Sequence, residues 1–116
     1  MNASLDTISL HVKDIEQSIA FYTRIPGAQL QVHRPHQFAQ FRIGAGFVHL
    51  VQLPSGAAGF HLEFDTANLN AIRDELRAAG LEPKQPVRHP WGKTDFKLFD
   101  PDGNLLEFST QGDSPM

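Results

Sequence analysis

The residues of this chain that can bind a ligand or move a proton fall at alternating positions. In LDTISLHVKD, residues 5–14, an extended backbone sets Thr7, Ser9 and His11 on one side and Ile8, Leu10 and Val12 on the other, because side chains two apart share a strand face. FHLEFD repeats the arrangement, with His61, Glu63 and Asp65 against Leu62 and Phe64. NLLEFST groups Leu105, Glu107 and Ser109 against Leu106 and Phe108. Imidazoles and carboxylates on such faces can accept or donate protons, and His11 poses the question of whether it is a ligand or a bystander. The chain has no cysteine, which excludes disulfides and thiolate chemistry.

Those faces need elements to carry them. A length of 116 residues suits one domain and is too short for two with independent cores. A hydrophobic share of 41% and a charged share of 20% are ordinary for a globular protein, and no apolar run approaches the roughly 20 residues that span a bilayer. No basic segment followed by an apolar one opens the chain, so the expected compartment is the cytoplasm. The formal net charge of -3, with 10 scattered basic residues, gives no footprint for nucleic acid or anionic lipid. The expected partner is a small molecule or a protein.

The chain reads as one plan used twice. The strand TISLHV leads to Asp14, an N-cap with Gln17 three residues on, and to IEQSIAFYTR, where Ile15, Ile19 and Tyr22 share a helix face before Pro26 and Gly27. The strand FHLEFD leads to Asn68 and to Leu69, Ile72, Leu76 and Ala79 at helical spacing before Gly80. Three short runs follow each helix: AQLQVHR, QFAQFRI and FVHLVQL, then EPKQPVRH, TDFKLFD and NLLEFST, separated by Gly- and Pro-containing turns. The pattern predicts an α+β fold of two βαβββ modules, residues 4–53 and 59–110 of a single domain 1–116. Mixed sheets curl around a cleft and the helices cover their outer faces.

HVKDIEQSIAFYTRIPG, FHLEFDTANLNAIRDELRAAG and PWGKTDFKLFDPDGNLLEF together resemble the glyoxalase, bleomycin-resistance and extradiol-dioxygenase superfamily, also called vicinal oxygen chelate proteins, from about Leu5 to Thr110. The resemblance implies paired modules, commonly a homodimer, and in many members a divalent metal (Zn, Fe, Mn or Ni). It does not imply one reaction. Metal-dependent members take ligands from the first and last strands of each module. Carried over position by position, the resemblance places Glu107 on the carboxylate position, His61 on the first-strand histidine of module two and His49 on the last-strand position of module one. The fourth position, usually histidine, is Thr7. The internal repeat agrees, since 54 residues separate Thr7 from His61 and His11 from Asp65. His11 cannot take the empty place, because four residues of extended chain span roughly 13 Å and metal–nitrogen bonds are about 2.1 Å.

Two imidazoles and one carboxylate suit Fe(II), Zn or Mn with positions left open, and a base beside such an ion would be Glu63, His11 or a freed Glu107. Thr7, Ser9, Arg42, Trp91 and Phe99 are the expected cleft lining. Gln40 and Arg42 share a strand face, so Arg42 meets either an anionic group or solvent. Trp91 either packs at the module junction or grips an aromatic ligand. Phe38, Phe47 and Phe99 line a pocket or fill cores. His33, His36 and His89 are expected to be solvated turn residues. Two functions follow. One is a metal-dependent lyase, isomerase or dioxygenase-like enzyme acting on a small oxygen-rich or electrophilic molecule, other than authentic glyoxalase I. The other is a metal-free drug- or antibiotic-binding protein of the bleomycin-resistance type.

Overall fold

A computed structural model describes residues 6–54, 61–90 and 92–110. It divides into two compact units, Met1–Ala58 and Gly59–Met116. The first runs β1 (Thr7–Val12), α1 (Ile15–Tyr22), β2 (Ala28–Arg34), β3 (Phe38–Ile43) and β4 (Gly46–Gln52). The second runs β5 (His61–Asp65), α2 (Leu69–Ala78), β6 (Val87–Arg88), β7 (Thr94–Phe99) and β8 (Leu105–Ser109). The sheet orders, β1-β4-β3-β2 and β5-β8-β7-β6, are the same order twice. In both sheets the first and last strands pair parallel and the remaining pairs are antiparallel. The fold is α+β with two mixed four-stranded sheets, as the alternation predicts.

Both helices begin at the predicted caps. The Asp14 carboxylate accepts from the amides of Glu16 at 3.0 Å and Gln17 at 3.3 Å, and the Asn68 side chain accepts from Ala71 N at 3.0 Å, so orphan N–H groups are satisfied at each start. Gly27 and Gly80 follow the two helices with the same φ of +86°, a left-handed turn that glycine enters without a Cβ clash. Helix α1 lies against β3 and β4. Leu10, Val12, Ile15, Tyr22, Phe41 and Leu50 are fully buried in this unit, and Tyr22 meets Phe41 with ring centroids 6.1 Å apart. In the second unit Leu62, Leu69, Leu76, Phe96, Leu98, Leu106 and Phe108 form the core.

One strand is shorter than its sequence run. EPKQPVRH yields only the two residues of β6, because Pro83 and Pro86 lack the N–H a ladder needs. One turn is strained: Gln37 N donates to Arg34 O at 3.0 Å, and within that turn His36 holds φ +62°. A side chain in this region costs about 1–2 kcal/mol, whereas glycine adds about 0.5–1 kcal/mol of chain entropy to lose on folding. His36→Gly is therefore expected to stabilise the protein by about 0.5 kcal/mol. A denaturant midpoint that moves down at unchanged slope would contradict it.

Candidate functional site

The polar sheet faces predicted from alternation exist, and strand register shows what stands on them. On the first sheet Ser9 lies opposite His49, and His49 opposite Gln40. A register shift between Leu30 and Val32 sets Gln31 beside this row. The result is a hydrogen-bonded ladder. His49 Nε2 donates to Gln40 Oε1 at 2.9 Å, and Gln40 Nε2 donates to Gln31 Oε1 at 2.8 Å. This assignment puts the ring proton on Nε2. Phe38 meets the His49 ring edge-on, with centroids 4.9 Å apart and planes at 74°, which fixes the ring against rotation. The half-buried His49 shares its face with Phe47 and Val51, while Val48 and Leu50 enter the core.

Around the ladder, the half-buried Thr7 donates its hydroxyl to Asp6 Oδ2 at 2.6 Å. Ser9 and His11 are exposed, with His11 opposite Val51. Arg42 is exposed opposite Phe47 and Gln29, and its Nε donates to Gly44 O at 3.2 Å.

On the second sheet, Glu63 lies directly opposite Glu107, and Glu107 opposite Lys97. Lys97 Nζ is 3.4 Å from Glu107 Oε2 and 4.0 Å from Asp95 Oδ1. The other oxygen of the buried Asp95 pairs with His89 Nε2 at 2.8 Å. The row Glu63, Glu107, Lys97 thus continues into a chain of charges through Asp95 to His89. Like charges directly opposite on a sheet repel, and the Lys97 ammonium offsets that repulsion. Phe99, 47% exposed, lies opposite Leu105, as does the backbone of His61. That register sets position 61 diagonal to Glu107. The His61 side chain and Trp91 lie outside the described residues.

The two registers are superimposable. Thr7 and His49 are diagonal across β1 and β4, as His61 and Glu107 are across β5 and β8. Gln40 then corresponds to Lys97, since each sits opposite the last-strand position. An imidazole receives an amide partner, and a carboxylate receives an ammonium. Lys97 is the site residue the sequence reading lacked. Its signal was the shared parity of Asp95, Lys97 and Phe99 in TDFKLFD. His36 is exposed as expected for a turn residue, but the expectation of solvated turns does not describe the other two. His33 is on β2, 3.0 Å from Glu16 of α1, and His89 is held against Asp95. A hollow of about 240 Å³ at the start of α2, lined by Asn68, Leu69, Arg88, Thr94 and Thr110, belongs to the second unit. Its Arg88 and Thr94 have the opposite strand parity to Asp95, so it is distinct from the charged row.

A family profile described as Glyoxalase/Bleomycin resistance protein/Dioxygenase superfamily matches residues 4–108. The chain belongs to this superfamily. A search of curated proteins found no match, whereas many solved structures share the superfamily fold. Lactoylglutathione lyase from Agrobacterium tumefaciens is 20% identical with a TM-score of 0.80, covering 96% of each chain. A bleomycin resistance determinant encoded on transposon Tn5 is 23% identical with a TM-score of 0.77, covering 93% of this chain and 98% of its own. A bleomycin-binding protein complexed with bleomycin is 21% identical with a TM-score of 0.76, covering 95% and 99%. At these identities the likeness shows the fold, and the superfamily hosts both enzymes and binders. Among the described residues, no helix is long and apolar enough to cross a membrane.

Superfamily members are often metal-dependent, and the described donors as placed do not fit a divalent ion. The carboxylate of Glu107 faces the Lys97 ammonium, His49 is engaged with Gln40, and the Thr7 hydroxyl is given to Asp6. Among the described residues no three His, Asp or Glu side chains form a group that could hold a metal.

Proposed function

We propose that this superfamily member is a metal-free small-molecule binding protein of the bleomycin-resistance type, its two modules acting as one domain. The observation that carries this reading is the Lys97–Glu107 ion pair: the carboxylate at the superfamily's ligand position already has a cation from its own chain. The His49–Gln40–Gln31 ladder beside Phe38, Phe47 and Arg42 supplies what a drug-sized ligand needs, apolar and aromatic area with a few oriented polar groups. Thr7 and Ser9 extend this face, and Phe99 stands on the polar face of the second sheet. The proposed setting is the cytoplasm and the proposed assembly a homodimer.

A second reading is a metal-dependent lyase, isomerase or dioxygenase-like enzyme with His49, His61 and Glu107 as ligands and Glu63 or His11 as base. It is favoured by the diagonal register of His61 and Glu107, which matches the superfamily's first- and last-strand ligand positions. Elemental analysis separates the readings. Purified protein reconstituted with Zn, Fe, Mn or Ni and then desalted is expected to retain less than about a tenth of an equivalent of each. It is also expected to bind bleomycin in calorimetry without added metal, and not to turn over the methylglyoxal–glutathione hemithioacetal. A full equivalent of metal lost in His61→Ala and Glu107→Ala would establish the second reading. Turnover at a typical enzyme rate would end the exclusion of glyoxalase I activity.

A further inference from the structure

We propose that the Gln31–Gln40–His49 ladder selects ligands by hydrogen-bond polarity: it holds the His49 ring proton on Nε2, so that Nδ1 accepts from a donor on the ligand. The inference rests on the metal-free reading above and names its ligand class, an aromatic molecule carrying a ring hydroxyl or ring N–H. Both links of the ladder run the same way. Gln40 Nε2 donates to Gln31 Oε1 at 2.8 Å, which turns Gln40 Oε1 toward the imidazole, and His49 Nε2 donates to that oxygen at 2.9 Å. The hydrogen bond made by one imidazole nitrogen sets the role of the other, and a ring with its single proton on Nε2 carries a lone pair on Nδ1. Among the described residues, Nδ1 has no partner.

The surroundings suit an aromatic body. Phe47 and Val51 flank His49 on one face of β4, and Phe38 meets the ring from β3, all three half-buried. The rows Ser9–His49–Gln40 and His11–Val51–Phe38 contain no carboxylate, so the acceptor at their centre is the imidazole. A ligand without a donor leaves Nδ1 unpaired, and sites built around a hydrogen bond reject such analogues. The polarity is set at Gln31, the exposed end of the ladder. In Gln31→Lys the ammonium donates to Gln40 Oε1, the Gln40 amide turns over to donate to His49 Nε2, and the ring proton moves to Nδ1. Gln31→Glu keeps the acceptor and the original direction.

Wild type, Q31E, Q31K and H49F are titrated with 2-naphthol and with its methyl ether by calorimetry, in mildly alkaline buffer containing chelator. Nitrogen-15 shifts of the His49 ring are recorded without ligand, and circular dichroism melts confirm folding. The ratio of naphthol to ether affinity is compared between variants, which cancels the size and polarity of the added methyl. Wild type and Q31E are expected to show a ratio about fivefold above that of H49F, the worth of one hydrogen bond, with the proton on Nε2. Q31K is expected to carry the proton on Nδ1 and to lose that preference. A wild-type ring protonated on Nδ1 or on both nitrogens, a folded H49F with the wild-type ratio, or a wild type that binds neither probe overturns the inference. The metal-free reading survives each of these, and falls only if the desalted wild type holds an equivalent of metal.

Discussion

Replacing Phe108 with alanine is expected to lower stability by about 4 kcal/mol and the melting temperature by roughly 15 °C. Phe64, Phe108 and Phe96 occupy one row across β5, β8 and β7. Phe108 is the middle ring, with centroids 4.8 Å from Phe64 and 5.1 Å from Phe96 and planes within 14°. It is only 3% exposed. Truncation opens a cavity between two rings whose strands cannot close on it, and two aromatic contacts each worth about 0.5–1.5 kcal/mol disappear together. A small domain has about 5–15 kcal/mol in total, so this one substitution consumes a large part of the margin. Phe108→Leu fills most of the volume and is expected to lose about 1.5 kcal/mol. Phe99→Ala, at a site 47% exposed, is expected to stay within about 0.5 kcal/mol. A Phe108→Ala protein no less stable than Phe99→Ala would mean that the row does not hold the second sheet together.

That row explains which parts of the fold were readable beforehand. Alternation assigned Leu62, Leu106 and Phe108 to the core side because each strand shows water one face and its helix the other, and burial follows that assignment. It failed on β4. FVHLVQL is apolar at both parities, with Phe47 and Val51 half-buried on one face and Val48 and Leu50 buried on the other. Only pairing with Gln40 orients His49. Lys97 was hidden for a related reason. Its parity was legible, but its partner is ten residues away across a hairpin, and only the β7–β8 register brings the two together. His89 was misjudged because proline and glycine neighbours mark a turn without showing that a turn can deliver a ring to a buried carboxylate. The Thr7–His61 correspondence, by contrast, needed only the repeat, and the registers of both sheets reproduce it.

The same register makes Asp100 the second position where a small change is expected to be severe. Asp100, 5% exposed, closes the turn between β7 and β8. Its Oδ1 accepts from the amides of Asp102 at 2.9 Å and Asn104 at 2.7 Å, and its Oδ2 accepts from Asn104 Nδ2 at 2.9 Å. Asp100→Ala leaves these donors without their acceptor, two of them buried, at an expected cost of about 3 kcal/mol. Asp100→Asn keeps one oxygen for the two backbone amides and forces only the Asn104 amide to turn over, so about half of that loss is expected. The consequence reaches the charged row, because Phe99 opposite Leu105 and Lys97 opposite Glu107 are pairs set by this turn. A one-residue slip would carry Glu107 to the helix side of the sheet, which burial of Leu106 and Phe108 resists. Hydrogen exchange in Asp100→Ala is therefore expected to quicken first at residues 102–105, with the amides of Leu106 to Phe108 protected until global unfolding. Equal exchange throughout β8 would show that the turn does not open on its own, and an Asn variant as unstable as the alanine one would show that the Asp100 charge and not its hydrogen-bond geometry sets the turn.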